Sequence, residues 1–240
     1  FNNGWHTRLK MTYSHGKTEF DRNQQVSISG IPIPSKSKTL HSDNATSEAT
    51  LSLENHWHLS GIHKLATHVE WTKNTSQWKE DTLNFTYIDQ HFAGRYMTVV
   101  LSDEISSPRI NLKPGLRYSY VPFLKKSLVE PRISMNVPIS TNLDFNLSAG
   151  LYNQILSKSS IEDESGNFRY MWTLANDSVY PVLEGRHITA AVNVELNKTQ
   201  ISWAPYFRKT DGLTKVGSPA DLCLDRKSTR LNSSHDQIAY

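Results

Sequence analysis

Only one cysteine, Cys223, occurs in the 240 residues, so no intrachain disulfide and no cysteine metal cluster can form. Nowhere does the sequence sustain the roughly 18 to 20 apolar residues that a membrane-spanning helix needs. The charges nearly cancel: 26 Lys and Arg stand against 23 Asp and Glu, for a formal net charge of +3. The basic residues are dispersed, with no stripe of the kind nucleic-acid binders carry, so no nucleic-acid partner is expected. The sequence opens at Phe1 without a signal-like segment, as expected either of a processed start or of a fragment. Catalytic spacing is missing too: there is no nucleophile-base-acid arrangement and no phosphate loop, and neither an enzyme activity nor a cofactor is expected.

What is present is alternation. In "TNLDFNLSAGLY", Leu143, Phe145, Leu147, Ala149 and Leu151 fall on one parity and Asn142, Asp144, Asn146 and Ser148 on the other. Successive strand side chains point to opposite faces, so this is a strand with one apolar and one polar face. The same period predicts strands over Gly4–Ser14, Thr46–Glu54, His58–Thr72, Gly94–Ser102, Arg109–Tyr120, Glu130–Val137, Asn142–Tyr152, Arg186–Leu196 and Gln200–Arg208. No segment carries a helical stripe. Pro114 and Pro205 fall inside two of these strands, where each removes a ladder donor; a bulge or ladder break is expected at both.

The connections alternate as well. Short ones lie at Asn55–Trp57, Asp103–Pro108, Pro138–Thr141 and Asn197–Thr199. Long ones lie at His15–Ala45, Lys73–Ala93, Val121–Val129 and Asn153–Gly185. That is the plan of an outer-membrane barrel, with tight periplasmic turns and long external loops. Aromatic residues mark both ends of the strands: Trp5, Trp57 and Trp203 at the inner starts, and Tyr13, Trp71, Tyr118, Tyr120 and Tyr152 at the outer ends, as interfacial girdles require, with Tyr152 the exception in falling on the polar parity. Trp5 to Tyr13 is eight steps of roughly 3.3 Å; tilted by about 45° they cover roughly 19 Å, inside an apolar band of about 25 Å. The fold class expected is all-β: an antiparallel transmembrane barrel, incomplete, with about nine strands in an open curved sheet. Arg117, Arg132 and Asp144 are expected to face the lumen. Leu116, Met135, Phe145, Leu147 and Trp203 are expected to face lipid. In the hairpin Glu130–Val137/Asn142–Tyr152, setting Val137 opposite Leu143 gathers every apolar side chain on one face.

At "INLKPGLRYSYV", followed by "EPRISMNVPISTNLDFNLSAGLYNQ", the chain resembles TonB-dependent outer-membrane receptors. The resemblance rests on Gly115–Tyr118 before an external loop, Pro131–Arg132 opening an inward strand, a short turn at Pro138–Thr141, and Gly150–Gln154 ending an outward strand. "MWTLANDSVYPVLEGRHITAAVNVEL" and "ISWAPYFRKTDGLTKV" look like the next external loop and hairpin. The resemblance covers about Phe1 to Val216. It implies location in the cell outer membrane and energy-coupled uptake of a scarce nutrient such as a siderophore, cobalamin or a glycan. The implied partners are outer-membrane lipid, a small-molecule or glycan ligand at the external loops, and the TonB energy-coupling protein, reached through a plug region that is not visible here. Such receptors close about 22 strands, more than twice the number found in this sequence. The alternative is a secreted or periplasmic β-rich binding module, with carbohydrate as one candidate ligand. The environment of Leu143, Phe145 and Leu147 separates the two: a second sheet packed on them excludes the barrel.

Three features stand apart. His56, His58, His63 and His68 cluster, and His-x-His can bind metal on one strand face; His63 falls on the other parity, and no metal site is assigned. Glu162, Asp163 and Glu164 form an acidic group in a long loop. Finally, "DRKSTRLNSSH", Asp225 to His235, has no periodicity, and its codons can be chosen to spell a widely used DNA-sequencing adapter, with Asp236 and Gln237 as a short index. The domain division expected is therefore a partial barrel over 1–216, a truncated loop over 217–224, and a disordered translated adapter over 225–240, which would leave the natural C-terminus missing.

Overall fold

The computed structural model describes residues 4–24, 27–28, 31–32, 38–82, 85–162, 168–196, 199–216 and 235–239. In chain order the strands are β1 (Trp5–Gln24), β2 (Ser27–Ile28), β3 (Ile31–Pro32), β4 (Lys38–His58), β5 (His63–Thr82), β6 (Phe85–Ser106), β7 (Asn111–Val121) and β8 (Lys126–Ser140). They continue as β9 (Leu143–Gln154), β10 (Leu156–Glu162), β11 (Phe168–Leu174), β12 (Leu183–Leu196), β13 (Thr199–Trp203), β14 (Tyr206–Asp211), β15 (Lys215–Val216) and β16 (His235–Ala239). Among the described residues there is no α-helix, only a 3-10 turn at Pro122–Leu124.

Eleven strands form one antiparallel sheet in the order β1-β4-β5-β6-β7-β8-β9-β12-β14-β16, with β13 also paired to β12. Its ends do not meet, so the architecture is an incomplete β-barrel, open along β1. Strands β11-β10-β15 form a second, small sheet. Among the described residues no helix is long and apolar enough to cross a membrane, which says nothing about a barrel.

All nine expected strands are present, but several are far longer than the alternation suggests. The segment His15–Ala45 is not a loop throughout: β1 and β4 stay paired from Trp5↔Trp57 to Gln24↔Lys38. Lys73–Ala93 is likewise a continued hairpin, paired out to Thr82↔Phe85. Where both faces of a strand carry mainly polar side chains, alternation of apolar and polar residues ends while backbone pairing continues, so the periodic signal stops before the strand does. The Val121–Val129 connection shrinks to the Pro122–Leu124 turn and Lys125, whose φ of 53° closes it. The first short turn lies at Leu59–Ile62 rather than Asn55–Trp57, since His58 is still paired with Lys64.

The β8–β9 hairpin differs from the expected register by two residues. Val137 pairs with Phe145, Met135 with Leu147 and Ile133 with Ala149. A shift between Pro138 and Ser140 leaves Ile139 as an extra residue before a tight turn at Thr141–Asn142. A two-residue offset keeps every side chain on its face, so the apolar stripe survives it. Both prolines break ladders as expected. The β6–β7 ladder skips from Ser102↔Gly115 to Ile105↔Leu112 around Pro114. Pro205 separates β13 from β14, both of which pair with β12.

The C-terminal segment departs from expectation. His235–Ala239 is not unpaired: it lies antiparallel to β14, from Tyr206↔Ala239 to Thr210↔His235. The free edge of β14 offers unpaired backbone groups, and an extended segment can satisfy them whatever its side chains. Cys223 and the rest of 217–234 lie outside the described residues.

Candidate functional site

Register carries side-chain parity from strand to strand. Leu9, Leu53, Val69, Val99, Tyr118 and Val129 are successive partners across β1, β4, β5, β6, β7 and β8. Beside them run Met11, Leu51, Trp71, Met97 and Tyr120. This face is bare: Met11 is 80% exposed and Leu9 71%. Leu116, Met135, Phe145, Leu147 and Trp203 share it, Trp203 being 68% exposed.

Arg117, Arg132 and Asp144 share the opposite face. The structure brings the two arginines together at Glu130, which sequence reasoning passed over. Glu130 accepts from Arg132 Nη2 at 2.6 Å and lies 3.8 Å from Arg117 Nη1, with its carboxylate almost fully buried. The Arg132 guanidinium sits 4.4 Å from the centre of the Tyr152 ring, so Tyr152's polar-face parity is used in a cation–π contact. Asp144 is not part of this cluster. It accepts from Asn146 (2.6 Å) and Asn193 (2.8 Å), inside a side-chain ladder that also includes Asn136.

The charged face is covered by the second sheet. The long segment between β9 and β12, expected as a loop, folds back as the β10–β11 hairpin. Asn44 holds it as a strand edge would: its Oδ1 accepts from the Trp172 backbone N at 2.8 Å, and its Nδ2 donates to the Trp172 carbonyl at 3.1 Å. Ser76 Oγ donates to the same carbonyl at 2.7 Å. Arg169 donates to Glu80 at 2.9 Å and stacks over Phe20 at 4.9 Å. Burial, helped by the nearby Glu80 charge, pushes the Tyr180 phenol up to about 12. The apolar core lies here too, with Val121, Leu124, Leu128, Ile155, Leu174 and Val182 in one cluster.

Between hairpin and sheet is a cavity of about 340 Å³, lined among others by Glu48, Asn74, Tyr96, Arg117, Glu130 and Trp172. Asn74 is 1% exposed, and neither of its amide atoms has a hydrogen-bond partner in the protein. The cavity thus presents carboxylates, a guanidinium, an uncommitted amide and aromatic rings to one volume, a set suited to holding a polar molecule. Of the sequence-nominated residues only Arg117 lines it; Asn74 falls in the expected Lys73–Ala93 connection, and nothing local sets it beside Glu48 and Glu130.

The clustered histidines do not converge. His63 pairs with Asp103 at 2.6 Å, His58 meets the Gly4 carbonyl at 3.1 Å, and His68 lies between Glu54 and Glu70. Among the described residues no group of three or more His, Cys, Asp or Glu could hold a metal ion. Asp163 and Glu164 lie outside the described residues.

Farther along β1 and β4, His41 contacts Asp21 at 2.5 Å and Asp43 at 3.2 Å. The hydrogen bond to Asp21, then that to Asp43, raises its pKa above the ordinary histidine value. A raised pKa contributes stability that is fully present below the unfolded value of about 6.5 and is lost as pH rises through the folded one. His41 is therefore expected to titrate above the ordinary histidine value when its ring protons are followed by NMR. Asp21→Asn should lower that midpoint; an unshifted midpoint in the variant would remove Asp21 as the main cause.

No protein-family model matches the chain, and no curated protein sequence matches it. Solved structures do resemble it. The siderophore receptor PirA from Pseudomonas aeruginosa matches with a TM-score of 0.52 at 9% identity, over 86% of this chain and 44% of that one. A mutant of the ferric enterobactin receptor PfeA from the same organism matches with a TM-score of 0.56 at 12% identity, over 88% of this chain and 33% of that one. The RagAB peptide transporter matches with a TM-score of 0.51 at 9% identity, over 86% and 28%. The likeness is one of fold. The chain spans well under half the length of each of the three.

Proposed function

We propose that the chain is part of the barrel wall of a TonB-dependent transporter in the outer membrane, serving energy-coupled uptake of a scarce nutrient: a siderophore, cobalamin or a glycan. The observation that carries this reading is the exposed apolar row from Leu9 to Val129, backed on the same strands by a charged face that folds a hairpin over itself. Leu116, Met135, Phe145, Leu147 and Trp203 face lipid; Arg117, Arg132 and Asp144 face the lumen. A soluble binding module would set its second sheet on Phe145 and Leu147. The second sheet of this chain lies instead on the Asn44–Ser76 side. The fold neighbours, a siderophore receptor, a ferric enterobactin receptor and a peptide transporter, support uptake as the theme. The ligand is bound at the external end, under the β10–β11 hairpin, and TonB acts on a plug region of the longer receptor. No residue is assigned a catalytic role.

Tryptophan quenching tests the membrane reading. With the chain in bilayers, lipids brominated near the headgroup should quench Trp5, Trp57, Trp71 and Trp203, measured in single-tryptophan variants. Trp78, 3% exposed and packed with Ile161 and Met171, should not respond. Equal insensitivity of all five to brominated lipid would sink the membrane assignment.

A further inference from the structure

One cross-strand pair on the apolar face carries two like charges. Lys73 on β5 lies directly opposite Arg95 on β6, two residues beyond the partners Trp71 and Met97. Both side chains are exposed. Directly opposed strand residues stand about 4.5–5.5 Å apart at Cβ, and like charges there destabilise the pairing. The next partners outward on the same parity, Thr75 and Ala93, are uncharged, as is Ala49 across from Lys73 on β4. Among the described residues neither cation has an ion-pair partner, whereas Lys17, Lys64, Lys79, Lys113 and Lys126 each have one. A second basic pair, Arg186 opposite Lys209 beyond Ile188 and Phe207, differs in this respect: Asp211 lies 4.0 Å from Lys209.

We propose that Lys73 and Arg95 form a clamp for the phosphate of an anionic lipid headgroup. The inference rests on the membrane reading above and adds a specific lipid contact to it. Trp71 and Met97, 42% and 49% exposed, mark the edge of the apolar band. Two cations two residues beyond that edge, on the same face, stand at headgroup depth, where a phosphate offers each a charge-assisted hydrogen bond. The phosphate supplies the counter-charge that the protein does not, and the lipid's acyl chains lie along Trp71, Met97 and Tyr120.

The test is flotation of the detergent-purified chain with vesicles of phosphatidylcholine alone or mixed with phosphatidylglycerol, followed by tryptophan emission. The unaltered chain should partition more strongly into the anionic vesicles at low salt. Lys73→Gln with Arg95→Gln should lower that preference roughly 10- to 30-fold. Lys64→Gln with Lys113→Gln removes the same charge at the other end of the strands and should preserve it. If the two double variants behave alike, the clamp is overturned while the membrane reading stands. If no variant enters either vesicle, both fail.

Discussion

In buffer without detergent, the expressed chain is expected to aggregate, and in micelles it is expected to be monodisperse with strand-type circular dichroism. The apolar face exposes Trp5, Leu9, Met11, Tyr13, Leu53, Val99, Leu116 and Trp203 on one side of one sheet. A contiguous patch beyond a few hundred Å² seldom stays bare in a soluble monomer. Strand β1, 20 residues long, pairs only with β4 among the described residues, leaving a long edge of unpaired backbone groups. In lipid each such group costs several kcal/mol. Detergent can cover the apolar face, but it cannot satisfy the edge, so the open sheet is not expected to transport anything. Sedimentation with and without micelles checks this; a soluble monomer that unfolds cooperatively in plain buffer would overturn it and favour the secreted binding module.

Arg169→Met is expected to release the β10–β11 hairpin. Glu80 is held 2.9 Å from Arg169, with side-chain exposures of 2% and 12%. Removing one partner of a buried pair leaves an uncompensated charge and costs about 3–5 kcal/mol, far more than loss of a surface pair. Asn44 and Ser76 hold Trp172 through neutral hydrogen bonds, which contribute about 1 kcal/mol each and cannot offset that loss. Hydrogen exchange over 168–182 should therefore accelerate by two orders of magnitude or more, given roughly tenfold per 1.4 kcal/mol. Glu80→Leu with Arg169→Met should recover most of the protection, because no buried charge remains. Unchanged exchange in Arg169→Met alone would show that the ion pair does not hold the hairpin.

Strand existence and strand faces were legible in the sequence wherever one face is apolar. Leu143, Phe145 and Leu147 alternate with Asp144 and Asn146, and a period of two leaves only one way to sort them. That is why Arg117, Arg132 and Asp144 fall on one side of the sheet and Leu116, Met135 and Trp203 on the other. Proline chemistry was legible for the same local reason: Pro114 and Pro205 each lack a ladder donor, and the break in the β6–β7 ladder and the gap between β13 and β14 fall at them. Strand ends were not legible. Beyond Tyr13 and Trp71 both faces are polar, so β1 and β5 continue without a periodic signal. The register of β8 on β9 escaped too, since a two-residue shift preserves every face and only the bulge at Ile139 selects between the alternatives.

The cavity was decided by tertiary structure alone. Asn44 meets Trp172 across 128 positions and Glu80 meets Arg169 across 89. Parity states which side of a strand a residue faces but not what folds onto that side, because the partner's choice depends on chain closure over distances that local periodicity does not reach. Asn74 is inward by parity on β5, yet it comes to line a cavity beside Glu130 and Trp172 only when the hairpin closes over it.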